Sequence, residues 1–279
     1  MDTSEASLVR RFSVKRVEQS GTERVMDTVA AEEPLEIRVR HWVKEAPASE
    51  SLAVMMRTPG HDRELAAGFL VSEGIARNRR DIVDLRALGT EPSNEIVVEL
   101  AKDVDFESWR AARSTLISSS CGICGKRNQA AVAQEIPPRA ADRLHVTRSL
   151  IERLPALVAR AQRGFAQTGG LHAAALICAE GELVRVFEDI GRHNALDKLI
   201  GWVLLEDRLP LQDEILFLSS RSSFELLQKC AMSGARVLAT VGGPSSLAIE
   251  AAREYGITLI GFVRDGRFNI YSGEWRIDL

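Results

Sequence analysis

Apolar and polar residues alternate with period two over Phe12–Val17, Arg24–Val29 and Leu35–Val43, the pattern of half-exposed strands. Ser20-Gly21 and Glu33-Pro34 supply the turns between them. Leu52–Met56 reads as another short strand, closed by Thr58-Pro59-Gly60. From Asp62 to about Ser72 the spacing becomes helical, with Leu65, Phe69 and Leu70 on one face, Asp62 as N-cap and Gly74 as stop. Glu95–Leu100 is a further strand. These elements predict a small α/β unit of α+β type with mostly antiparallel strands over residues 12–115, preceded by a mobile tail at 1–11.

The pattern is different in the middle. Ser118-Ser119-Ser120-Cys121-Gly122-Ile123-Cys124-Gly125 is a flexible composition, and Pro137-Pro138 with the charges up to Arg143 reads as a connector, so 116–145 is expected to be a loop and linker. A second domain is expected over 146–279. It opens with a helix near Ser149–Gln162, where Pro155 marks a kink or a first turn. Strands Leu171–Cys178 and Leu183–Phe187 follow, joined through Glu180-Gly181. Asn194–Leu205 carries Leu196, Leu199, Ile200 and Val203 as one buried helical stripe. Then strands (Ile215–Leu218, Val237–Val241, Ile257–Val263) alternate with helices (Phe224–Ser233, Ser246–Tyr255), and Phe268–Tyr271 forms a last edge strand. Strands separated by helices of this length predict βαβ units and a mainly parallel sheet.

Composition narrows the classes. Lys and Arg number 36 against 39 Asp and Glu, a net charge of −3, which argues against a nucleic-acid coat. Apolar residues make up 45%, enough to exclude wholesale disorder. The longest apolar run, around Ala173–Ala179, is far below the roughly 20 residues that span a bilayer, and the first residues lack a secretory pattern. No membrane association is expected, and a reducing, cytoplasmic setting is. Of the cations only 6 are Lys, a bias best assigned to codon usage, apart from a few arginines on Gly-rich loops that suit anions.

Four cysteines are too few for a disulfide scaffold. Cys178 and Cys230 stand alone in apolar or helical surroundings and read as small buried hydrophobes. Cys121 and Cys124 form a C-x-x-C pair, which suits a metal site, a redox disulfide or persulfide transfer. The sequence shows no second ligand pair at zinc spacing, and the H-x-E then P-C-x-x-C order of zinc deaminases fails, since His172 is followed by Ala173-Ala174. A thioredoxin-like site would follow an early strand and open a long helix. A mobile thiol loop fits sulfur transfer better, and Lys126-Arg127 would favour the thiolate. A surface C-x-x-C without a role is the plain alternative.

Two further constellations stand out. Glu188-Asp189-Ile190-Gly191-Arg192-His193-Asn194 with Asp197-Lys198 spans a strand-to-helix junction. Arg192 and His193 are read as functional, with Gly191 bending the chain so that both face a cleft. Asn194 serves equally as an N-cap, Glu188 and Lys198 as ordinary charges, and His193 as a core histidine bonded to Glu188 or Asp189. Ser219-Ser220-Arg221-Ser222-Ser223 and Gly242-Gly243-Pro244-Ser245-Ser246 follow parallel strands, where ligands of such sheets bind and helix N-termini offer free N–H groups. Tight-turn chemistry explains either loop alone. With Arg264 and Arg267 they suggest an anionic, nucleotide-like ligand. His41, His61 and His145 have no partner pattern.

These motifs resemble the formate dehydrogenase accessory sulfurtransferase family (FdhD-type). The matching stretches are Arg57-Thr58-Pro59-Gly60 with Glu64-Leu65-Ala66 and Gly68-Phe69-Leu70; Ser120-Cys121-Gly122-Ile123-Cys124-Gly125; Thr168-Gly169-Gly170 with His172-Ala173-Ala174; Asp189-Ile190-Gly191-Arg192-His193-Asn194-Ala195; Ser220-Arg221 with Ser223-Phe224-Glu225; and Thr258-Leu259-Ile260-Gly261-Phe262 with Arg264 and Asn269-Ile270-Tyr271. They run in order from about Phe12 to Tyr271. Gly242-Gly243-Pro244 stands where the family often has Ser-Ala-Pro, and Ile190 where Val is common.

The resemblance implies a C-terminal cytidine-deaminase-like three-layer domain without the zinc motif, and no zinc is expected. It implies sulfur transfer from a cysteine desulfurase to a molybdenum cofactor with two molybdopterin guanine dinucleotides, in service of the formate dehydrogenase catalytic subunit. Cys121 would carry the persulfide and Cys124 assist. Phe262, Val263, Arg264, Asp265, Gly266 and Arg267 match the cofactor-binding stretch. Arg192, His193, Asn194, Arg221, Ser222, Gly242 and Gly243 are expected to add contacts, GDP to act as a partial mimic, and the chain to form a homodimer. Two other classes stay open: a thiol-redox or zinc-dependent nucleotide-binding regulator, and a cofactor chaperone that transfers no sulfur.

Overall fold

The computed structural model describes residues 8–89, 93–106, 108, 136 and 144–279. Cys121, Cys124 and most of the expected loop and connector lie outside the described residues. The first elements are β1 (Val9–Glu18) and β2 (Gly21–Ala30), paired antiparallel as a separate two-stranded ribbon. Residues 9–11, expected in a tail, therefore belong to a strand. The reason is cross-strand pairing with 28–30, a partner that local composition does not reveal.

A four-stranded sheet follows, in the order β4-β3-β6-β5, from β3 (Glu33–Val43), β4 (Ala46–Arg57), β5 (Ile82–Ala87) and β6 (Glu95–Leu100). Helix α1 (Asp62–Ser72) covers it. The rest of the chain builds a six-stranded sheet in the order β13-β12-β11-β10-β8-β9. Its strands are β8 (His172–Ile177), β9 (Leu183–Asp189), β10 (Ile215–Leu218), β11 (Val237–Thr240), β12 (Thr258–Arg264) and β13 (Arg267–Ser272). A short parallel pair, β7 (Val146–Thr147) with β14 (Ile277–Asp278), closes the C-terminus.

The expectation of a mainly parallel sheet holds only at the centre. β10, β11 and β12 pair parallel, whereas β8–β9, β10–β8 and β12–β13 pair antiparallel. Connection length decides this. Asp265-Gly266 is a two-residue turn, with φ 53° and 69°, and such a turn can link only antiparallel neighbours.

The strand pleat sorts the core into two faces. Leu176, Leu216, Leu218, Leu238 and Leu259 point one way, toward α4 (Arg192–Leu205), α5 (Phe224–Met232) and α6 (Ser246–Glu254). Ala175, Ile177, Phe217 and Val237 point the other way, toward α2 (Arg148–Ala159). Pro155 falls inside α2, beyond its first turn. The six-residue α3 (Arg163–Thr168), not foreseen in the pattern, sits between α2 and β8.

The larger core is shared: Leu35, Ile37 and Val98 of the first sheet belong with Leu196, Ile200 and Leu216 of the second part. Its centre is a very close crossing of α1 and α4. A methyl group built on Gly68 would stand 1.8 Å from Asp197 O, and one on Gly201 would stand 1.8 Å from Glu64 O. Only glycine lets the two backbones touch, so the helices seat at a fixed point. Gly68→Ala or Gly201→Ala should destabilise the fold by about 1–3 kcal/mol or more, because the helices must separate. Gly170→Ala, whose added carbon meets Ala30 Cβ at 3.6 Å, should stay near wild type. Thermal unfolding of the three variants checks this; equal melting temperatures would contradict the close-packing account.

Candidate functional site

The C-terminal ends of the parallel strands β10, β11 and β12 lie at one end of the sheet. Antiparallel pairing brings the start of β8 and the end of β9 to the same end, with His172 opposite Asp189. The Gly191–Asn194 turn, the 219–223 loop, the 242–246 loop and the Phe262–Arg267 stretch therefore gather on one surface. Backbone bonds knit them: Gly242 N–H donates to Ser220 O at 3.1 Å, Ser245 N–H to Ser222 O at 3.0 Å, and Phe262 N–H to Gly242 O at 3.2 Å.

Each side chain has a local cause. Gly242 and Gly243 leave room, for a methyl at either would press Arg221 Cγ at 2.7 Å or the Phe262 ring at 2.6 Å. Phe262 takes a positive φ of 55° and is 37% exposed, while the next residue, Val263, is buried in the α2-side core and can offer a ligand only its backbone. Arg264 lies 5.9 Å from the Phe262 ring centre. Arg264 and Arg267 are direct cross-strand partners flanking the Asp265-Gly266 turn, and both are exposed. Like charges placed opposite each other destabilise a hairpin, so this pair favours an anion between them. Arg221 is exposed nearby; Ser222 is buried and its hydroxyl has no hydrogen-bond partner among the described residues. Ser223 and Ser245 cap α5 and α6.

Helix α4 begins at Arg192 with Gly191 as its N-cap, so Asn194 is not the cap. The Asn194 amide instead donates to Asp189 Oδ1 at 3.0 Å and to Met56 O at 2.8 Å. His193 does not pair with Glu188 or Asp189. Its Nε2 lies 2.9 Å from Glu225 Oε2, at an angle outside hydrogen-bond geometry. Glu188 accepts from the Gly164 and Phe165 N–H groups, which seats α3.

Asp189 and Lys198 form an ion pair at 2.7 Å with both side chains 0% exposed. Asp189 also accepts from Gly191 N–H at 2.8 Å and Thr58 N–H at 3.1 Å, and Lys198 donates to Thr58 O at 2.9 Å. Thr58 Oγ1 in turn accepts from Ile190 N–H at 3.0 Å. Removing one partner would leave a buried charge, at a cost of about 3–5 kcal/mol. The network thus ties the Arg57–Gly60 loop of the first part to the turn that presents Arg192 and His193. A second pair joins buried Asp197 to half-buried Lys229 at 2.7 Å; the Asp197 carboxylate also accepts from Ser72 Oγ at 2.6 Å, which links α1, α4 and α5. Arg57 is itself buried and bidentate to Asp62, at 2.9 Å on both contacts.

Asp189, Lys198, Thr58 and Glu225 are the residues that sequence reasoning undervalued. One signal was available: Ala195–Leu205 is apolar except for Asp197 and Lys198. A helix so poor in charge is buried all round, and its charges must then be paired inside. Cys230 is buried, as its setting suggested, whereas Cys178 is not the buried hydrophobe expected: it is half-buried and its sulfur accepts from Glu182 N–H. Among the described residues no cluster of three or more His, Cys, Asp or Glu could hold a metal ion, and no helix is long and apolar enough to cross a membrane.

His172, half-buried at the head of β8, is held below its ordinary pKa of 6.5. Burial is the main cause and the charges of Arg192 and His193 add to it, against an opposing pull from Asp189. The folded protein therefore favours the neutral ring. Below about pH 6.5 the unfolded chain binds a proton here that the folded chain does not, so this group subtracts stability as pH falls, until the folded midpoint is passed. Proton NMR of the His172 ring should show a midpoint below 6.5, and His172→Gln should lessen the loss of stability between pH 7 and 5. A midpoint at or above 6.5 would contradict the assignment.

Comparison with known proteins matches this architecture. The model of the FdhD/NarQ family covers residues 30–278. A relative named sulfur carrier protein FdhD, from Streptomyces coelicolor, is 43% identical over 280 residues, covering 98% of this chain and 96% of its own. Another of that name, from Saccharolobus solfataricus, is 39% identical over 269 residues, covering 96% and 98%. A solved structure assigned as a formate dehydrogenase accessory protein of Desulfotalea psychrophila superposes with a TM-score of 0.76 at 22% identity, covering 97% of this chain and all of that one, a likeness of fold. The chain belongs to the FdhD/NarQ family.

Proposed function

We propose that this protein is a sulfur carrier: Cys121 accepts persulfide sulfur from a cysteine desulfurase, Cys124 assists release by attacking the inner sulfur so that a Cys121–Cys124 disulfide forms as the outer sulfur leaves at the sulfide level, and the strand-end surface holds the recipient. In the loading step the Cys121 thiolate attacks the outer sulfur of the donor persulfide; the new S–S bond forms as the donor's breaks, and the donor cysteine leaves as thiolate. The recipient is a molybdenum cofactor carrying two molybdopterin guanine dinucleotides, destined for the catalytic subunit of formate dehydrogenase. We read the six-stranded sheet, with helices on both faces, as a cytidine-deaminase-like layer without its zinc motif, and the protein as a cytoplasmic homodimer. The relatives' name supports the sulfur-carrying part.

The observation that carries the cofactor part is the direct opposition of Arg264 and Arg267, on the hairpin that follows Phe262, whose ring packs on the Gly242-Gly243 turn. Two exposed guanidiniums on one side of a hairpin suit a pyrophosphate, with Arg221 across the cleft. A charge-assisted hydrogen bond of this kind contributes about 1.5–3 kcal/mol. GDP should bind, with affinity that falls as salt rises. Arg264→Ala and Arg267→Ala should each weaken it about tenfold or more, at unchanged melting temperature. Calorimetric titration tests this; equal affinity for GDP and free phosphate, or no loss in either variant, would remove the nucleotide part of the reading.

A further inference from the structure

His193 and Glu225 come from different elements and meet across the cleft. His193 lies in the first turn of α4, Glu225 in the first turn of α5, just after the cap residue Ser223 of the 219–223 loop. Their side chains are only 20% and 17% exposed, with Nε2 and Oε2 2.9 Å apart. Among the described residues Nε2 makes no hydrogen bond, so the close approach of the Glu225 carboxylate is the contact that meets that end of the ring. Other charged and titratable groups around the junction are Arg192 beside it, His172 on β8, Asp189 on β9 and Arg221 on the loop before α5. Asp189 is bound to Lys198, Gly191 N–H, Asn194 and Thr58. It is not available to hold the His193 ring. That leaves Glu225 as the group placed to set the ring's direction.

We infer that Glu225 is a positioning residue of the nucleotide site: its carboxylate holds the His193 imidazole toward the bound anion and locks the 219–223 loop to the Gly191–Asn194 turn. This rests on the nucleotide-binding reading above. A ring free to turn samples directions that miss the ligand, and binding must then order it at the cost of rotamer entropy. Glutamine keeps the side-chain length and its close contact with the ring, whereas alanine leaves the ring unsupported.

A double-mutant cycle on GDP affinity separates positioning from general packing. Glu225→Ala should weaken GDP binding about fivefold to tenfold in the wild-type background. It should change binding less than about twofold when His193 is already alanine, because the ring it directs is gone. Glu225→Gln should restore most of the affinity. An equal loss in both backgrounds, or no loss at all, would overturn the inference. The His193 ring resonances give a readout independent of GDP. They should shift or broaden in Glu225→Ala and return in Glu225→Gln; unchanged resonances in Glu225→Ala would overturn it. Were wild-type protein to bind no GDP, the nucleotide reading would fall, and these resonances would still decide whether Glu225 holds the ring.

Discussion

The backbone contact of α1 with α4 at Gly68 and Gly201 is the constraint on which the remaining structure depends. Two helices this close leave no freedom to slide, since Glu64 O and Asp197 O sit where side chains would normally stand. The crossing joins the first sheet to the second through one continuous apolar core. It also buries α4 on every side, between the six-stranded sheet and α1, and that burial forces the behaviour of its charges. Lys198 and Asp197 cannot reach water, so each has a paired, hydrogen-bonded partner, Asp189 and Lys229.

These pairs have a consequence at the sheet's end. Asp189 spends its two oxygens on Lys198, Thr58, Gly191 and Asn194, which fixes the turn before α4 as firmly as a core element. Arg192 and His193 leave that rigid turn in fixed directions. Opposite them, the glycines at 242 and 243 strip the neighbouring loop of side chains and let Arg221 and Phe262 pack against bare backbone. The result is a surface of exposed cations beside a closely packed backbone turn, mounted on the buried Asp189–Lys198 pair. Such an arrangement suits a large anionic substrate that must be held still while a thiol-bearing segment approaches it.

Much of this was legible in the sequence where local pattern and tertiary context agree. The β10-α5-β11-α6-β12 alternation is written in strand and helix lengths, and the Asp265-Gly266 turn in its two residues. The Gly-Arg-His-Asn run and the strand-end loops stood out by composition and do share one surface. What was not legible depends on partners distant in sequence. Asn194 looks like a helix cap, yet its amide is drawn away by Asp189 and Met56. Lys198 looks like a surface charge because its partners Asp189 and Thr58 lie in other elements, and only the apolar run around it hints at burial. Helix α3 is too short to show a period and is seated by Glu188, which lies beyond it in the chain. Parallel pairing was over-read because the two outer hairpins have turns too short for a crossover.

The central claim is that sulfur passes through Cys121 to a cofactor held on the strand-end surface. The direct measurement is sulfur bound to the molybdenum cofactor after incubation with purified cysteine desulfurase, cysteine and the cofactor, comparing wild type with Cys121→Ala. The account predicts a sulfurated cofactor that activates formate dehydrogenase only when Cys121 is present. Equal sulfuration by the Cys121→Ala protein, or none by wild type that has been loaded with persulfide, would contradict it.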